Sequence, residues 1–320
     1  MEVKDQIEMP KKPYRDLNSY FRSLFGSRVH KVTVDAGLTC PNRDGTLSGS
    51  GCIYCNAKGS GTGAHQKGLS VSEQIERSKV RIARRFKTDK LMAYFQSYTN
   101  TYAPVPHLKA LYDEALAVDG VVGLSIGTRP DCVNAAVLDL LEGYARSRLI
   151  WVEYGLQSAH DQTLARINRG HDFACFQRAV AASRDRGINI CAHIILGLPG
   201  ESRRQMLETA DAVAGLGIQG VKLHLLYVVR DTPLAALYRQ GGYRCLEQQA
   251  YVNLVCDFIE RLPESMIIHR LTGDPHPGEL IAPQWALQKR ETMQRIDQRF
   301  VDCRTWQSKR YGGDPTDRVF

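Results

Sequence analysis

"LIWVEYGLQS" (Leu149 to Ser158), "DFACFQRAVAASRDRG" (Asp172 to Gly187) and "INICAHIILGLPG" (Ile188 to Gly200) follow one another in the chain, and their reading decides the fold. The first and third are short apolar runs of β-branched, aromatic and leucine residues ending in polar or glycine punctuation, as buried strands do; the second is helical. Four more strands of the same kind occur: "VHKVTVDAG" from Val29, "KLMAYFQS" from Lys90, "GVVGLSIGT" from Gly120 and "VKLHLLYVV" from Val221. Helical stretches separate them. In "SVSEQIERSKVRIARRF", Ser72 is positioned to cap the helix, and Ile75, Ile82 and Phe86 fall on one face. "VPHLKALYDEALAV", "VNAAVLDLLEGYARS" and "ESRRQMLETADAVAGLG" play the same part later in the chain.

Alternation repeated this often implies parallel strands joined by right-handed crossovers, hence an open doubly wound sheet or a full or partial barrel. In either, function collects at the carboxyl ends of the strands. After Tyr227 the rhythm breaks into helices, a short strand and turn in "MIIHRLTGD", and a long basic helical tail from about Pro283. The expected organisation is an N-terminal extension over 1–28, a core over 29–240 and a mostly helical C-terminal extension over 241–320.

The 320 residues can bury a large core, and 43% hydrophobic with 24% charged residues is ordinary for a globular protein. The amino terminus has no apolar signal region, and no stretch approaches the roughly 20 apolar residues that span a bilayer. The expectation is a cytoplasmic protein with no membrane partner. The formal charge of +8 permits a polyanionic partner such as RNA. It is concentrated in "RSKVRIARRFKTDK", Arg77 to Lys90, where seven basic residues face one acid, Asp89. That run reads either as a solvated helix face or as a phosphate-binding one.

Nine cysteines in a chain without a secretion signal point to a reducing compartment, where grouped thiols bind metal or react. Cys132, Cys175, Cys191, Cys245, Cys256 and Cys303 stand apart and read as small buried hydrophobes. Three are grouped in one loop, "CPNRDGTLSGSGCIYC", as Cys40, Cys52 and Cys55. The glycine- and serine-rich spacer lets the far end fold back toward Cys40, and the spacing of Cys52 and Cys55 lets both thiolates face one centre. A zinc site would need a fourth ligand such as His65. Four irons held by three thiolates instead leave one iron open for a cofactor or substrate.

This loop, with "SIGTRPDCV", "EYGLQSAHDQTLARINRGH", "HIILGLPGES" and "HRLTGD", resembles radical S-adenosylmethionine (SAM) enzymes, and more closely the YhcC-like family related to the radical SAM domain of the Elongator catalytic subunit. The eleven-residue spacer between Cys40 and Cys52 departs from the commonest superfamily pattern and is shared by the YhcC-like group. The resemblance implies a partial (β/α)6 TIM-like barrel of α/β class. It also implies a [4Fe-4S] cluster on Cys40, Cys52 and Cys55, with SAM chelated at the open iron. One electron, from a donor such as flavodoxin or ferredoxin, would cleave SAM to a 5′-deoxyadenosyl radical that abstracts hydrogen from the substrate. With no second group of cysteines, one cluster is expected.

Carried onto this chain, the cofactor-binding expectations are Tyr54 within the loop, and Ser97 and Asn100 in "FQSYTNTY", where relatives often have Gly-Gly-Glu and this chain offers no carboxylate. Gln96 and Thr99 are polar neighbours there. Arg129 in "GTRPD" either pairs with the methionyl carboxylate or a substrate phosphate, or forms a structural bridge to Asp131. Strand alternation puts Glu153, Gly155 and Gln157 on one face, plausible as the barrel interior, and the resemblance assigns Glu153 and Gln157 to SAM. Leu196, Gly197 and Gly200 fit the family's adenine-binding segment. His193, Lys222 and His224 read as core residues or as substrate contacts. The leading functional expectation is modification of a tRNA base. A small-molecule or protein substrate, or a non-catalytic iron–sulfur protein that binds nucleic acid, are the alternatives.

Overall fold

The structure is a computed structural model that describes residues 12–57, 59, 64–86 and 88–312. All six strands read from the sequence form: β1 (His30–Val34), β2 (Leu91–Phe95), β3 (Val121–Thr128), β4 (Leu149–Gln157), β5 (Asn189–Leu196) and β6 (Gly220–Leu225). A two-residue strand, β7 (Val228–Val229), follows, then β8 (Ile267–Arg270) and β9 (Leu280–Ala282). Seven strands make one sheet in the order β1-β2-β3-β4-β5-β6-β8, parallel throughout, and β7 pairs antiparallel with β9 beside it. The short strand expected in "MIIHRLTGD" is therefore the seventh member of the main sheet.

The helices are α1 (Leu17–Phe25), α2 (Val71–Phe86), α3 (Val105–Ala117), α4 (Ala135–Ala145), α5 (Asp161–Arg166), α6 (Phe173–Ser183), α7 (Arg203–Ala214), α8 (Pro233–Arg239), α9 (Gln248–Ile259) and α10 (Lys289–Asp302). In α2, Ile75 and Ile82 are buried as their spacing requires and Phe86 packs on the core. The cap differs from expectation. Ser70, not Ser72, opens the helix: its Oγ accepts from Glu73 N at 3.2 Å and its N donates to the Glu73 carboxylate at 2.8 Å, a capping box. Ser72, one residue inside, hydrogen-bonds Glu114 on α3 instead.

Strand alternation divides the sheet into two chemically distinct faces. Val32, Phe95, Leu124, Val152, Ile194 and Leu223 point outward into one large core under the helices. The intervening positions, among them Lys31, Tyr94, Ser125, Glu153, His193 and Lys222, point the other way. Their contacts prove the curl. Lys222 Nζ on β6 lies 2.6 Å from the Tyr94 hydroxyl on β2, although four strand spacings in a flat sheet would separate those strands by roughly 19 Å. The sheet closes on itself into a half-barrel with a polar interior.

Residues just before and at the strand starts plug one end. Val29, Met92, Trp151, Cys191 and Ile267 form a separate buried cluster with Phe21 of α1, which lies across the bottom. The opposite end, at the carboxyl ends of the strands, stays open. At Gly123 the barrel wall admits no side chain: an added Cβ would sit 2.0 Å from the Leu149 carbonyl oxygen on the neighbouring strand.

Replacing Gly123 by alanine is expected to push β3 and β4 apart and cost about 1–3 kcal/mol. Gly143→Ala in α4, where an added Cβ meets nothing, should instead stabilise by up to about 1 kcal/mol. Urea unfolding midpoints at unchanged slope measure both; equal effects would mean that the close approach at Gly123 is not real.

Candidate functional site

The open end leads into a cavity of about 210 Å³ whose lining includes Cys40, Cys52 and Cys55. The loop carrying them is folded back by its own backbone. Arg43 N and Asp44 N donate to Cys40 O at 2.8 and 3.1 Å, Gly51 N donates to Asn42 O at 2.7 Å, and Cys55 N donates to Cys52 O at 3.0 Å. A second loop, at the end of α5, clamps it from outside. The Asn168 side chain donates to Gly51 O at 2.7 Å and to Ser50 Oγ at 3.0 Å, Asn42 Nδ2 donates to Asn168 O at 2.6 Å, and Ile53 N donates to Ile167 O at 3.1 Å. The glycine- and serine-rich spacer is thus an ordered structure locked to the loop that follows α5.

Arg169, next along the clamping loop, is buried against the cysteines. It donates Nη1 to Cys52 Sγ at 3.6 Å, and Nε and Nη2 to Gly155 O at 3.1 and 2.6 Å. Gly155 makes room for it, since a Cβ there would lie 2.5 Å from Arg169 Nη2. Arg129 supports Arg169 from behind, donating to Arg169 O at 2.8 Å and gripping Asp131 with bonds of 2.8 and 2.7 Å. Burial alone would raise the Cys52 thiol, but Arg169 reverses this and holds it below its ordinary value. Burial and the neighbouring Cys52 push Cys55 up to about 11.

Deeper in, Glu153 is fully buried and satisfied on both oxygens. Oε1 accepts from Lys31 and Ser125; Oε2 accepts from His193 Nε2 at 2.5 Å and from Lys222 Nζ at 2.9 Å. Burial would raise its pKa, yet Lys222 and Lys31, aided by the histidines, hold the carboxyl well below the usual range. Burial lowers Lys222 to about 8, His193 to about 3 and His269 to about 4. At neutral pH the interior therefore holds ionised Glu153 among neutral imidazoles and cations.

Of the residues expected to hold a cofactor, Tyr54, Ser97, Arg129, Glu153 and Gln157 line the cavity, together with Gln96 and Thr99. Gln157 does so from a left-handed backbone, φ 81°, where the β4–β5 register slips between Gly155 and Gln157. Asn100 does not reach the cavity; its amide bonds the Phe95, Ser97 and Gly127 carbonyls and ties β2 to β3. Leu196, Gly197 and Gly200 also lie off it. Leu196 points into the outer core, Gly197 is covered by Tyr243 and Leu246, and Arg166 lies against Gly200. Ile195, Leu225, Leu226 and Tyr227 form the apolar wall in their place.

Arg169 and Asn168 were missed as functional residues, although both lie in "INRGH", a stretch within one of the landmark segments. The stand-alone cysteines also divide. Cys191 and Cys256 are buried as expected, but Cys303 is exposed and Cys132, Cys175 and Cys245 are half-buried. In the basic run, Lys87 lies outside the described residues. Arg81 and Arg85, with Arg28, crowd His30 at the start of β1 and help to depress its pKa, after burial. They sit at the plugged end of the barrel, away from the cavity mouth. The tail approaches the same end, with Gln307 bonded to the Pro263 and Met266 carbonyls ahead of β8.

The donors fit a cluster better than a single ion. Ligands about 2.3 Å from one tetrahedral ion crowd within about 4 Å of each other. Among the described residues, the set of three metal-type donors gathered within 4.8 Å is Glu153, Cys191 and His269, not the loop thiols. His65, the zinc alternative, instead faces the Gly37 backbone. The Glu153 set is itself unsuited to a cation, because Lys31 and Lys222 already occupy the carboxylate. No described helix is long and apolar enough to cross a membrane.

Comparison with known proteins agrees with this geometry. A family model for the Radical SAM superfamily matches residues 40–213, and one for the Radical_SAM C-terminal domain matches residues 218–302. The chain is 44% identical to YtqA of Bacillus subtilis over 93% of its own length and 92% of that protein. It is 41% identical to YhcC of Escherichia coli over 85% of its length and 87% of that protein. Elongator complex protein 3 of Saccharomyces cerevisiae is 29% identical over 48% of this chain but only 28% of that protein. Among solved structures, archaeal Elp3 from Methanocaldococcus infernus superposes with a TM-score of 0.62 at 16% identity, covering 83% of this chain and 63% of that one, a likeness of fold.

Two outcomes follow from the interior charges. Glu153→Gln strands Lys31 and Lys222 without a counter-ion and should cost about 3–5 kcal/mol in chemical unfolding. For pH, His193 and His269 fold with values of about 3 and 4, below the unfolded value of about 6.5. The unfolded chain therefore binds more protons between those limits, and stability present above about pH 6.5 is lost as pH falls. The melting temperature of cluster-free protein should drop across that window, less steeply in His193→Gln; identical slopes would refute the buried neutral imidazole.

Proposed function

The chain belongs to the radical SAM superfamily, and on that premise we propose that it cleaves SAM reductively in this cavity to modify a tRNA base. The superfamily's cofactors, a [4Fe-4S] cluster and SAM, are those of this chain. Together, when bound, they supply a 5′-deoxyadenosyl radical that takes a hydrogen atom from the substrate. Cys40, Cys52 and Cys55 would hold the cluster. The observation that carries the reading is their convergence, three thiols from one clamped loop, on a cavity with a polar interior.

The chain's own residues bind, orient and shield. Asn168 and Asn42 fix the loop, and Arg169 donates to Cys52 Sγ, stabilising negative charge on the ligand sulfur. Ser97, Gln96 and Gln157 line the cavity with hydrogen-bonding groups that would hold the cofactor's polar atoms, and Ile195, Leu226 and Tyr227 give a wall against which its less polar part would pack. The interior below them is where the reacting part of the substrate would sit, closed from solvent by the α1 plug.

A tRNA substrate is supported by the net charge of +8 and by the likeness to Elongator complex protein 3. A nucleotide of tRNA would reach the interior as a base flipped out of its stack. A second reading, a small anionic metabolite, is favoured by the position of Arg28, Arg81 and Arg85 at the far end of the barrel from the mouth.

Alanine at Cys40, Cys52 or Cys55 should each abolish the reconstituted iron–sulfur chromophore and reduce 5′-deoxyadenosine formation to background. An intact cluster with no SAM cleavage in the wild type would defeat the enzymatic reading. For the substrate, bulk tRNA from a deletion strain should lose or accumulate a modified nucleoside relative to its parent, and tRNA binding should weaken steeply with salt. Unchanged nucleosides together with salt-insensitive binding would favour the metabolite.

A further inference from the structure

The cavity floor carries more positive charge than the fold neutralises. Lys31, Lys222 and Arg270 share one carboxylate, Glu153, both of whose oxygens are already occupied by the lysines, Ser125 and His193. Arg270 has neither a hydrogen bond nor an ion pair among the described residues, and its Nε is buried without a partner. The acids beside the wall residue Tyr227 are engaged elsewhere, Asp274 by Lys289 at 2.7 Å and Glu279 by Asn56 at 3.1 Å. Burial and neighbouring cations depress His193, His224 and His269, while burial and Glu153 raise Tyr94 and Cys191, so all five are uncharged near neutrality.

The backbone places these groups together. Across adjacent parallel strands, His193 is paired in register with Lys222, and Lys222 with Arg270. All three line the cavity, and the Tyr94 hydroxyl sits 2.6 Å from Lys222 Nζ. The "HRLTGD" stretch is built to present Arg270 there. His269 packs edge-on against Trp151 with ring centroids 4.3 Å apart, and Leu271 and Thr272 are buried behind it. Gly273 then presses so close to the wall that a Cβ would lie 2.6 Å from Tyr227 and 2.8 Å from His224.

We propose that Arg270 and Lys222 form a subsite for an oxyanion, a carboxylate or phosphate carried by the substrate, at the floor of the cavity. This rests on the reading of the cavity as the reaction chamber. Arg270 is half-buried, with its Nε enclosed and unpaired beside the lysines; a ligand oxyanion would supply the partner and the counter-charge that the protein does not. The guanidinium fork suits a planar or tetrahedral oxyanion, with the Lys222 ammonium as a second donor. The subsite would fix which end of the substrate points down, and so which of its hydrogens faces the mouth.

The test is thermal unfolding of the reconstituted holoenzyme in sodium chloride, sodium phosphate and sodium acetate at matched ionic strength, with and without saturating SAM. Phosphate or acetate should raise the melting temperature by a few degrees over chloride, and the more effective of the two identifies the oxyanion. SAM should leave that increment in place; its loss would assign the site to the cofactor's own carboxylate and overturn the proposal. Arg270→Gln should melt higher than wild type in chloride and lose the increment, whereas Arg270→Lys should keep a reduced one. No increment in wild type, or a glutamine variant that melts lower and keeps it, also overturns the subsite. Formation of 5′-deoxyadenosine by the same wild-type preparation under reducing conditions is scored separately, because its absence defeats the proposed reaction and not the anion site.

Discussion

A single buried carboxylate ties the barrel together. Glu153, on the middle strand of the sheet, draws Lys31 in from the first strand and Lys222 from the sixth. Those strands approach only because the sheet curls, and an ion pair withdrawn from water holds only if its geometry is nearly complete. The curl and the charge cluster therefore require each other. Serine and histidine side chains on the same inner face complete the coordination of that carboxylate, and no apolar substitute would leave a polar chamber.

The open end depends on a comparable device of opposite composition. A loop rich in glycine and serine would be poorly suited to hold three thiols in register, since ordering it carries a large entropy cost. The stretch from Ile167 to Arg169 supplies the missing constraint, with Asn168 bonded to the loop backbone and Arg169 to a cysteine sulfur and to Gly155. Arg129 and Asp131 brace that stretch in turn. The loop thiols, a cationic donor and the end of β4 are thereby one connected unit resting on the barrel that Glu153 closes.

Much of this was legible in the chain itself. The period of two along β4 puts Glu153 and Gly155 on the inward face, because the other face of the strand has to meet helices; His193 and Lys222 read either as core residues or as substrate contacts, and the structure turns both inward. Gln157 also reaches the cavity, but by a register slip and a left-handed backbone that alternation does not foresee. Alternation would have excluded Leu196, since Ile195 is the inward residue and Leu196 must face the helices; resemblance placed it in the site where alternation does not. Asn100 offered a polar side chain at the right strand end, but three backbone carbonyls claim it first. Asn168, Arg169 and Arg270 lie in stretches that the sequence marked, but the partners of Asn168 and Arg169 stand more than a hundred residues away in the chain and so gave no local signal. The basic run could be seen, but not that Arg81 and Arg85 within it gather around His30 at the start of β1.

The central claim is that the three loop thiols hold an iron–sulfur cluster to which SAM binds directly. Electron paramagnetic resonance of the anaerobically reconstituted, chemically reduced protein, recorded with and without SAM, tests it most directly. The account predicts a [4Fe-4S] signal whose shape changes on addition of SAM. A spectrum indifferent to SAM, or purified protein that holds zinc in place of iron, would contradict it.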